Sequence, residues 1–213
     1  MSEAARCPRP RPNGYGENMP TTSLPDGAPA LVIVRHGETE WSATGKHTSR
    51  TDLSLTEAGR ERARGLGAEL AGWSFTRVVS SPLKRALETC ELAGFGGRVE
   101  IDEDLREWDY GEYEGLTTPE IRETNPGWNL WRDGCPGGEM PDQVAARADR
   151  ALARLREVDG DVVVFAHGHI LRVLTARWLG MGPDQGARFA LKAGAISVLG
   201  YERETEVLQR WNA

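Results

Sequence analysis

Cysteine is scarce in this sequence, and its distribution excludes a disulfide framework. Cys7, Cys90 and Cys135 are spread over 213 residues, and no two of them form a C-x-x-C pair. An odd number of widely spaced cysteines is typical of reduced thiols, and it offers no short metal-binding motif. We therefore predict that the protein is cytoplasmic.

Long apolar runs are missing as well. No stretch reaches the roughly 20 apolar residues that a membrane-spanning helix requires. The first residues also lack the apolar centre of a signal peptide. We therefore expect no membrane among the partners of this protein.

An excess of basic charge is absent too. The chain has 26 Lys and Arg against 32 Asp and Glu, which gives a net charge of -6. A groove for nucleic acid needs a basic face, so we do not expect nucleic acid as a partner. A small anionic ligand is still allowed, because a local cluster of Arg and His holds a phosphate even on an acidic protein.

Proline is unevenly distributed and suggests one boundary in the chain. Residues 1–29 hold six of the 12 prolines, with Gly, Ser, Thr and Asn between them. Such a segment buries too little apolar surface to offset its ordering entropy. We predict a disordered tail over 1–29 and one folded domain over 30–213, which is long enough to bury a core.

Two short apolar runs lead directly into a histidine that a glycine follows. The run 31–34 is followed by Arg35 and His36, and the run 161–166 by His167. Continuous apolar runs of this length are typical of buried parallel strands. Ligands bind at the carboxyl ends of such strands. Because the chain has only four histidines, two at strand ends indicate a shared site.

The rest of the chain alternates between helix and strand patterns, which predicts an α/β domain. Ser54 to Glu57 fits a capping box for the first long helix, and Ser81 is predicted to cap the second. The segments 38–53 and 116–140 are predicted to be irregular. Helices are predicted at about 56–71, 82–93, 141–157 and 168–179, and strands at 75–80, 99–101, 196–200 and 206–211.

Four basic residues are expected to meet at one edge of the sheet. Arg85 falls in the first turn of the second helix, from where it reaches the strand ends that carry Arg35, His36 and His167. Two arginines and two histidines around one point suit a phosphate group. A neutral imidazole attacks phosphorus while positive groups stabilise the equatorial oxygens. The alternative is a metal site at His167 and His169, but neither Cys nor Asp stands at ligand spacing.

A proton donor for this chemistry is expected near residue 108. Glu107 and Asp109 stand among aromatic side chains in the stretch LREWDYG. Burial against such rings raises the pKa of a carboxyl group, which suits a general acid near neutral pH. This local reasoning does not choose between the two carboxylates.

Four motifs in order along the chain carry a family resemblance. RHGETEW, SSPLKRALET, LREWDYGEYEG and AHGH together resemble the histidine phosphatase superfamily, over roughly residues 31–199. The resemblance implies the phosphoglycerate-mutase-like fold. This fold is a three-layer α/β/α sandwich with a mixed, mostly parallel central sheet.

The same resemblance implies a role for each core residue. His36 would be the nucleophile that becomes phosphohistidine. Arg35, Arg85 and His167 would bind the phosphoryl group. Glu107, in the L-x-E position of the family, would be the proton donor, so family resemblance favours it over Asp109.

Further substrate-binding positions follow from the family pattern. Ser42 stands where many members have Asn, and Thr48 occupies a loop position that often touches substrate in the mutase branch. Gly168, inside the AHGH motif, is expected to line the same site. Met140 replaces a serine that often follows GGE in this group.

Within the family the sequence resembles small broad-specificity acid phosphatases and sugar-phosphate phosphatases. The paired arginines with which mutases hold a substrate carboxylate are absent, since Arg122 and Arg132 are single and spaced apart. We predict hydrolysis of small phosphate monoesters without a metal or other cofactor. The alternatives are a phosphoglycerate mutase that needs a bisphosphate primer, and a catalytically silent docking module.

The expected partner is therefore a small phosphorylated metabolite, and the protein is expected to be a monomer or a homodimer. Five aromatic residues near the acid predict a lid over a pocket for a sugar or polyol phosphate. The alternative is a loop that its tryptophans pin to the core. These residues are Trp108, Tyr110, Tyr113, Trp128 and Trp131.

Overall fold

The computed structural model of the protein describes residues 29–213. The predicted tail therefore lies outside the described residues, except for Pro29. Six strands are β1 (Leu31–Arg35), β2 (Arg77–Ser80), β3 (Val99–Ile101), β4 (Val162–Ala166), β5 (Ile196–Glu202) and β6 (Thr205–Arg210). Seven α-helices in this part of the chain are α1 (Glu40–Thr44), α2 (Glu57–Leu70), α3 (Lys84–Leu92), α4 (Thr118–Thr124), α5 (Leu130–Asp133), α6 (Pro141–Arg156) and α7 (Gly168–Trp178).

The strands form one mixed sheet in the order β3-β2-β4-β1-β5-β6. β1, β2, β3 and β4 are parallel to their neighbours within that group, whereas β5 and β6 pair in antiparallel fashion. β1 lies between β4 and β5, and β4 lies between β1 and β2. The carboxyl ends of the two central parallel strands are therefore adjacent, as the sequence predicted.

Apolar side chains of the central strands alternate between the two faces of the sheet. Ile33 and Val164 pack into a core with α6 and α7, and Val32 and Phe165 pack into a second core with α2 and α3. Because both faces are covered, every one of these positions is apolar. The predicted three-layer α/β/α sandwich and its mostly parallel sheet are confirmed.

The two predicted helix caps were wrong. The first long helix, α2, is capped by Thr56, whose hydroxyl accepts from the Gly59 amide, and not by Ser54. Helix α3 begins at Lys84 and has no side-chain cap, because the chain stays extended through Leu83. Ser81 is thereby released from capping and takes part in the site described below.

The two segments predicted to be irregular contain short helices. The first holds α1, which is closed by a capping box between Thr39 and Ser42. The second holds α4, opened by a capping box at Thr117, and α5, opened by Asn129. Helices of four to seven residues lack the repeating apolar face from which longer helices are predicted.

Aromatic residues of the second segment pack inward. Trp108 and Trp128 are fully or almost fully buried in the main core, and the Trp128 indole donates to the Gly134 carbonyl. The structure therefore agrees with the alternative, in which tryptophans hold this segment against the core. Trp108 and Trp128 do not form the predicted lid. Within residues 29–213, no helix has the length and apolar character needed to cross a membrane.

Candidate active site

A polar cavity of about 220 Å³ opens at the carboxyl ends of the central strands. It lies where parallel strands of an α/β sheet place their ligands. Three candidate catalytic residues line it: Arg35 at the end of β1, His36 directly after β1, and Glu107 from the connection after β3. The other residues in its wall are Thr39, Ser42, Gly45, Lys46, His47, Thr48, Tyr110, Thr118, Gly168, His169, Arg172 and Leu191.

His36 is oriented by the backbone of the residue that follows it. Its Nδ1 lies 2.7 Å from the Gly37 carbonyl oxygen, which accepts a proton and has none to give. The neutral ring therefore carries its hydrogen on Nδ1 and leaves the Nε2 lone pair free. Burial lowers the pKa of His36 well below 6.5, and the positive charges of Arg85 and Arg35 act in the same direction. The imidazole is neutral at neutral pH, as a nucleophile requires.

Gly37 is required by close packing beneath the site. A side-chain Cβ there would meet the Gly59 carbonyl oxygen of α2 at 2.5 Å. The Gly37 amide donates to the Thr89 hydroxyl of α3. Two helices thus fix the turn that holds His36.

His167 lies directly behind His36, with 5.1 Å between the ring centres. Arg85 donates from Nε to Nδ1 of His167 at 3.1 Å, so this nitrogen is the unprotonated one. The hydrogen of the neutral ring is then on Nε2, which lies 2.7 Å from the Ser81 hydroxyl and donates to it. Burial and the charge of Arg85 lower the pKa of His167 well below 6.5.

Ser81 is a site residue that the sequence reasoning missed as such. Its hydroxyl accepts from His167 and also from the Leu83 amide. Ser81 belongs to the SSPLKRALET motif. A Ser-Pro pair before a helix pattern usually indicates a helix cap, so the sequence did not indicate that Ser81 contacts a distant histidine.

Arg85 is a buried cation, and Arg35 is a half-buried one. Arg85 is 1% exposed, and it donates to the carbonyls of Thr48 and Thr51 as well as to His167. Arg35 donates from Nη1 to the Leu191 carbonyl, while its buried Nε has no partner among the described residues. Burial lowers the pKa of both guanidinium groups, although both stay charged at neutral pH.

Glu107 is held at the start of α7 by backbone amides. Its carboxylate accepts from the amides of Trp108, His169 and Ile170 at 2.9–3.0 Å. Asp109 instead pairs with the exposed Arg50 and does not line the cavity of His36. The geometry therefore separates the two carboxylates that local reasoning left open.

Two paired side chains, Arg147 and Glu139, hold the segment 103–109 that carries Glu107, and we call this pair the strut. Arg147 of α6 binds both carboxylate oxygens of Glu139 and the carbonyls of Asp104 and Arg106. Glu139 then accepts from the Asp109 amide, and its carbonyl accepts from the Trp108 indole. The GGE sequence before α6 thus holds the segment next to Glu107 in place.

The remaining predicted substrate residues lie around the cavity in different roles. Ser42 lines it, but its hydroxyl is engaged with the backbone of Thr39 in the cap of α1. Thr48 lines it while donating to the Lys46 carbonyl. Gly168 lines it at a point where a Cβ would lie 3.3 Å from the guanidinium carbon of Arg35.

The cavity wall also holds residues to which the sequence analysis gave no substrate role. His47 and His169 are nearly parallel, with ring centres 6.2 Å apart, and the Tyr110 hydroxyl lies 2.6 Å from His169 Nδ1. Lys46 and Arg172 line the same cavity, and neither pairs with a carboxylate in the part of the chain that the structure describes. With Arg35 and Arg85 nearby, the cavity carries a local excess of positive charge on an acidic protein.

No cluster of three or more His, Cys, Asp or Glu suited to a metal ion occurs among residues 29–213. His167 is hydrogen-bonded to Ser81 and Arg85, and His169 is hydrogen-bonded to Tyr110. The arrangement is therefore one of cations and imidazoles around a space suited to an anion.

Comparisons with known proteins agree with this geometry. The family model of the histidine phosphatase superfamily (branch 1) matches residues 31–213. An acid phosphatase from Mycobacterium tuberculosis is 43% identical over 176 residues, which cover 81% of this chain and 86% of that protein. A sedoheptulose 1,7-bisphosphatase from Saccharomyces cerevisiae is 38% identical over 191 residues, with 75% of this chain and 70% of that protein covered.

A solved structure shows the same fold. The product of the open reading frame Rv3214 from Mycobacterium tuberculosis superposes with a TM-score of 0.82 at 41% identity. The superposition covers 86% of this chain and 97% of that one.

Proposed function

The chain belongs to branch 1 of the histidine phosphatase superfamily, and from this premise we propose that it hydrolyses small phosphate monoesters through a phosphohistidine on His36. The reaction needs no metal or other cofactor in this proposal. In the same proposal the histidine phosphatase domain is residues 30–213, and the protein works in the cytoplasm as a monomer or homodimer on a phosphorylated metabolite.

The observation that carries the proposal is the state of His36. Its Nδ1 hydrogen is committed to the Gly37 carbonyl, and burial beside Arg85 and Arg35 keeps the ring neutral. A neutral imidazole with a free Nε2 at the wall of a cationic cavity is a nucleophile facing an anion site.

In the first half-reaction, Nε2 of His36 attacks phosphorus and the bond between phosphorus and the ester oxygen breaks. The oxygen leaves as an alcohol, because protonated Glu107 donates its proton to it. Arg35 and Arg85 bind the equatorial phosphoryl oxygens, where charge is concentrated in the transition state. Both ring nitrogens of His167 are engaged, with Arg85 and Ser81, so in this proposal His167 holds Arg85 in place and does not itself bind the phosphoryl group. Gly168, Ser42 and Thr48 complete the substrate contacts.

In the second half-reaction, water replaces the alcohol. Glu107, now a carboxylate, takes a proton from this water as its oxygen attacks phosphorus. The bond between phosphorus and Nε2 breaks, inorganic phosphate forms, and both His36 and Glu107 return to their starting states.

The substrate class proposed is sugar or polyol phosphates. The charge of the cavity suits a phosphate, and its wall of histidine, threonine and tyrosine suits hydroxyl groups. The relatives named for acid phosphatase and sedoheptulose 1,7-bisphosphatase activity support a phosphatase over a mutase.

The test is phosphate release from a panel of sugar phosphates, a sugar bisphosphate, phosphoglycerates and an aryl phosphate. The panel is run with and without a chelator, beside His36→Ala and the exposed control Lys84→Ala. We expect release that survives the chelator and Lys84→Ala and is lost in His36→Ala. A rapidly quenched reaction should trap an acid-labile phosphoryl group on the wild type.

Two outcomes would overturn the proposal. Interconversion of 2- and 3-phosphoglycerate upon addition of a bisphosphate primer, without phosphate release, would identify a mutase. Absence of both reactions and of the phosphoryl adduct would identify a docking module.

A further inference from the structure

The wall of the cavity also presents two histidine rings, His47 and His169, with complementary free nitrogens. We propose that His47 and His169 form a donor–acceptor pair that recognises two hydroxyl groups of the substrate, and that Tyr110 sets its polarity. This inference rests on the proposed function, because it concerns the part of the substrate that remains after the phosphate is bound.

His47 supplies the acceptor. The ring is almost buried, and its Nδ1 lies 2.7 Å from the Leu116 carbonyl, which only accepts. The neutral ring therefore has its hydrogen on Nδ1, and Nε2 is an unprotonated acceptor. Burial lowers the pKa of His47, so the neutral form prevails at neutral pH.

His169 supplies the donor. The Tyr110 hydroxyl is 2.6 Å from His169 Nδ1, and no other acceptor for that buried hydroxyl occurs among the described residues. Burial raises the pKa of Tyr110 well above 10, so the phenol keeps its proton and donates it to Nδ1. Burial also keeps His169 neutral by lowering its pKa well below 6.5. The ring hydrogen is then on Nε2.

Both Nε2 atoms open on the cavity. Each ring lines it, each Nδ1 is already engaged, and neither Nε2 has a partner in the described part of the chain. The buried side-chain atoms without a hydrogen bond there are Arg35 Nε, Trp73 Nε1 and Trp178 Nε1, which leaves both of these histidine atoms accessible.

The two rings are held rigidly. They are parallel to within 8°. His47 packs edge-on against Tyr110 and Trp128, and its backbone pairs with Leu116 and Gly115. A fixed acceptor beside a fixed donor fits two hydroxyl groups, of which one donates to His47 and the other accepts from His169.

The experiment compares ribitol 5-phosphate with n-butyl phosphate, an alkyl ester that lacks the other hydroxyl groups. We expect wild-type kcat/KM to favour the polyol ester by at least tenfold. His47→Phe and His169→Phe preserve a ring but remove the nitrogens, and each should lower the ratio between the two esters by about tenfold. His47→Gln, which keeps an acceptor, should restore part of it. Lys84→Ala, which lies outside the cavity, should leave the ratio unchanged.

The outcomes separate this inference from the proposed function. If the wild type hydrolyses both esters equally well, or if both Phe variants keep the preference, the pair does not recognise hydroxyl groups although the phosphatase stands. Hydrolysis of neither ester would overturn the proposed function and this inference with it. Because the wild-type comparison needs no variant, equal hydrolysis of the two esters would overturn the inference even if a His variant folded poorly.

Discussion

At the scale of single residues, the position of one hydrogen on each imidazole decides what that ring does. His36 and His47 each give their Nδ1 hydrogen to a backbone carbonyl. His167 accepts on Nδ1 from Arg85, so its hydrogen moves to the other nitrogen. In our proposal, three residues of the same type thereby serve as a nucleophile (His36), a hydrogen-bond acceptor (His47) and a ring that orients an arginine (His167).

Ser81 is expected to act on catalysis by fixing one of these hydrogens. Ser81→Ala removes the acceptor of His167 Nε2, which leaves a buried donor unsatisfied and frees the ring to turn away from Arg85. We expect kcat to fall about tenfold with a smaller change in KM. Steady-state kinetics on the best panel substrate measures both constants.

The matched control is Ser54→Ala, since Ser54 lies before α2 and contributes neither cap nor site contact. It should leave kcat unchanged. Equal kcat values for the two alanine variants would show that His167 does not depend on Ser81.

Residues at strand ends were predictable, and residues that act through a distant partner were not. Arg35, His36 and His167 follow apolar runs, so the sequence alone places them at one sheet edge. Ser81 acquires its role only because β2 and β4 are neighbours, which brings it within 2.7 Å of a side chain 86 residues away. A local sequence pattern therefore does not predict the contact between Ser81 and His167.

At the scale of secondary structure, α2 shows how a helix approaches the site. A Cβ at Gly59 would lie 2.3 Å from the Glu38 carbonyl oxygen, whereas one at Gly65 would meet only the flexible Arg62 side chain at 3.9 Å. The first glycine thus allows contact between the helix and the turn after His36. The second lies at an exposed helical position.

These two glycines make a matched test. Gly59→Ala should lower the free energy of unfolding by about 1–3 kcal/mol through overpacking, and should also lower kcat by displacing the turn of His36. Gly65→Ala should raise the free energy of unfolding by about 0.5–1 kcal/mol, because alanine has a higher helix propensity than glycine. Chemical denaturation measures the free energy of unfolding of both variants. Equal changes at the two positions would contradict the packing argument.

The strut from α6 to the acid segment allows a second test at this scale. Arg147→Met leaves the Glu139 carboxylate and two backbone carbonyls without their cation. We expect a loss of about 3 kcal/mol in the free energy of unfolding, together with a lower kcat because Glu107 is no longer held in place.

Arg150→Met is the control on the same helix. The exposed side chain of Arg150 pairs with Asp104, which Arg154 also binds, so we expect its loss to cost about 1 kcal/mol or less. If Arg147→Met were as mild as Arg150→Met in denaturation and in kcat, the strut would not position the acid.

Long elements were predictable at this scale, while short ones were not. Helices α2, α6 and α7 carry an apolar face long enough to identify, and β1 and β4 are apolar throughout. α1 and α5 have five and four residues, and they form around side-chain caps at Thr39 and Asn129. Their stability comes from contacts to the rest of the fold, which no short window of sequence records.

At the scale of the whole molecule, the neutral histidines couple stability to pH. His36 and His167 have pKa values well below 6.5 in the folded state, whereas in the unfolded chain each takes up a proton as the pH falls through about 6.5. Since the unfolded state binds more protons below that pH, the free energy of unfolding decreases as the pH falls.

We expect each of these two histidines to contribute a slope of about 1.4 kcal/mol per pH unit below pH 6.5. Urea denaturation from pH 7.5 to 5 measures the total slope, and His36→Asn should reduce it by the share of one histidine. An unchanged slope in His36→Asn would mean that His36 titrates alike in the folded and unfolded chains.

Between pH 6.5 and 5, the folded enzyme should retain the nucleophilic form of His36, so kcat/KM should not fall with an apparent pKa of 6.5.

The order of strands has a consequence for hydrogen exchange. β1, which leads to His36, is paired on both sides, whereas Glu107 lies on a segment outside the sheet that the Arg147–Glu139 strut ties down. We therefore expect amides of β1 to exchange only when the whole molecule unfolds, and those around Glu107 to exchange also when their segment alone detaches. If Glu107 is the proton donor as proposed, we expect mild denaturant to abolish hydrolysis at a lower concentration than it abolishes phosphate binding.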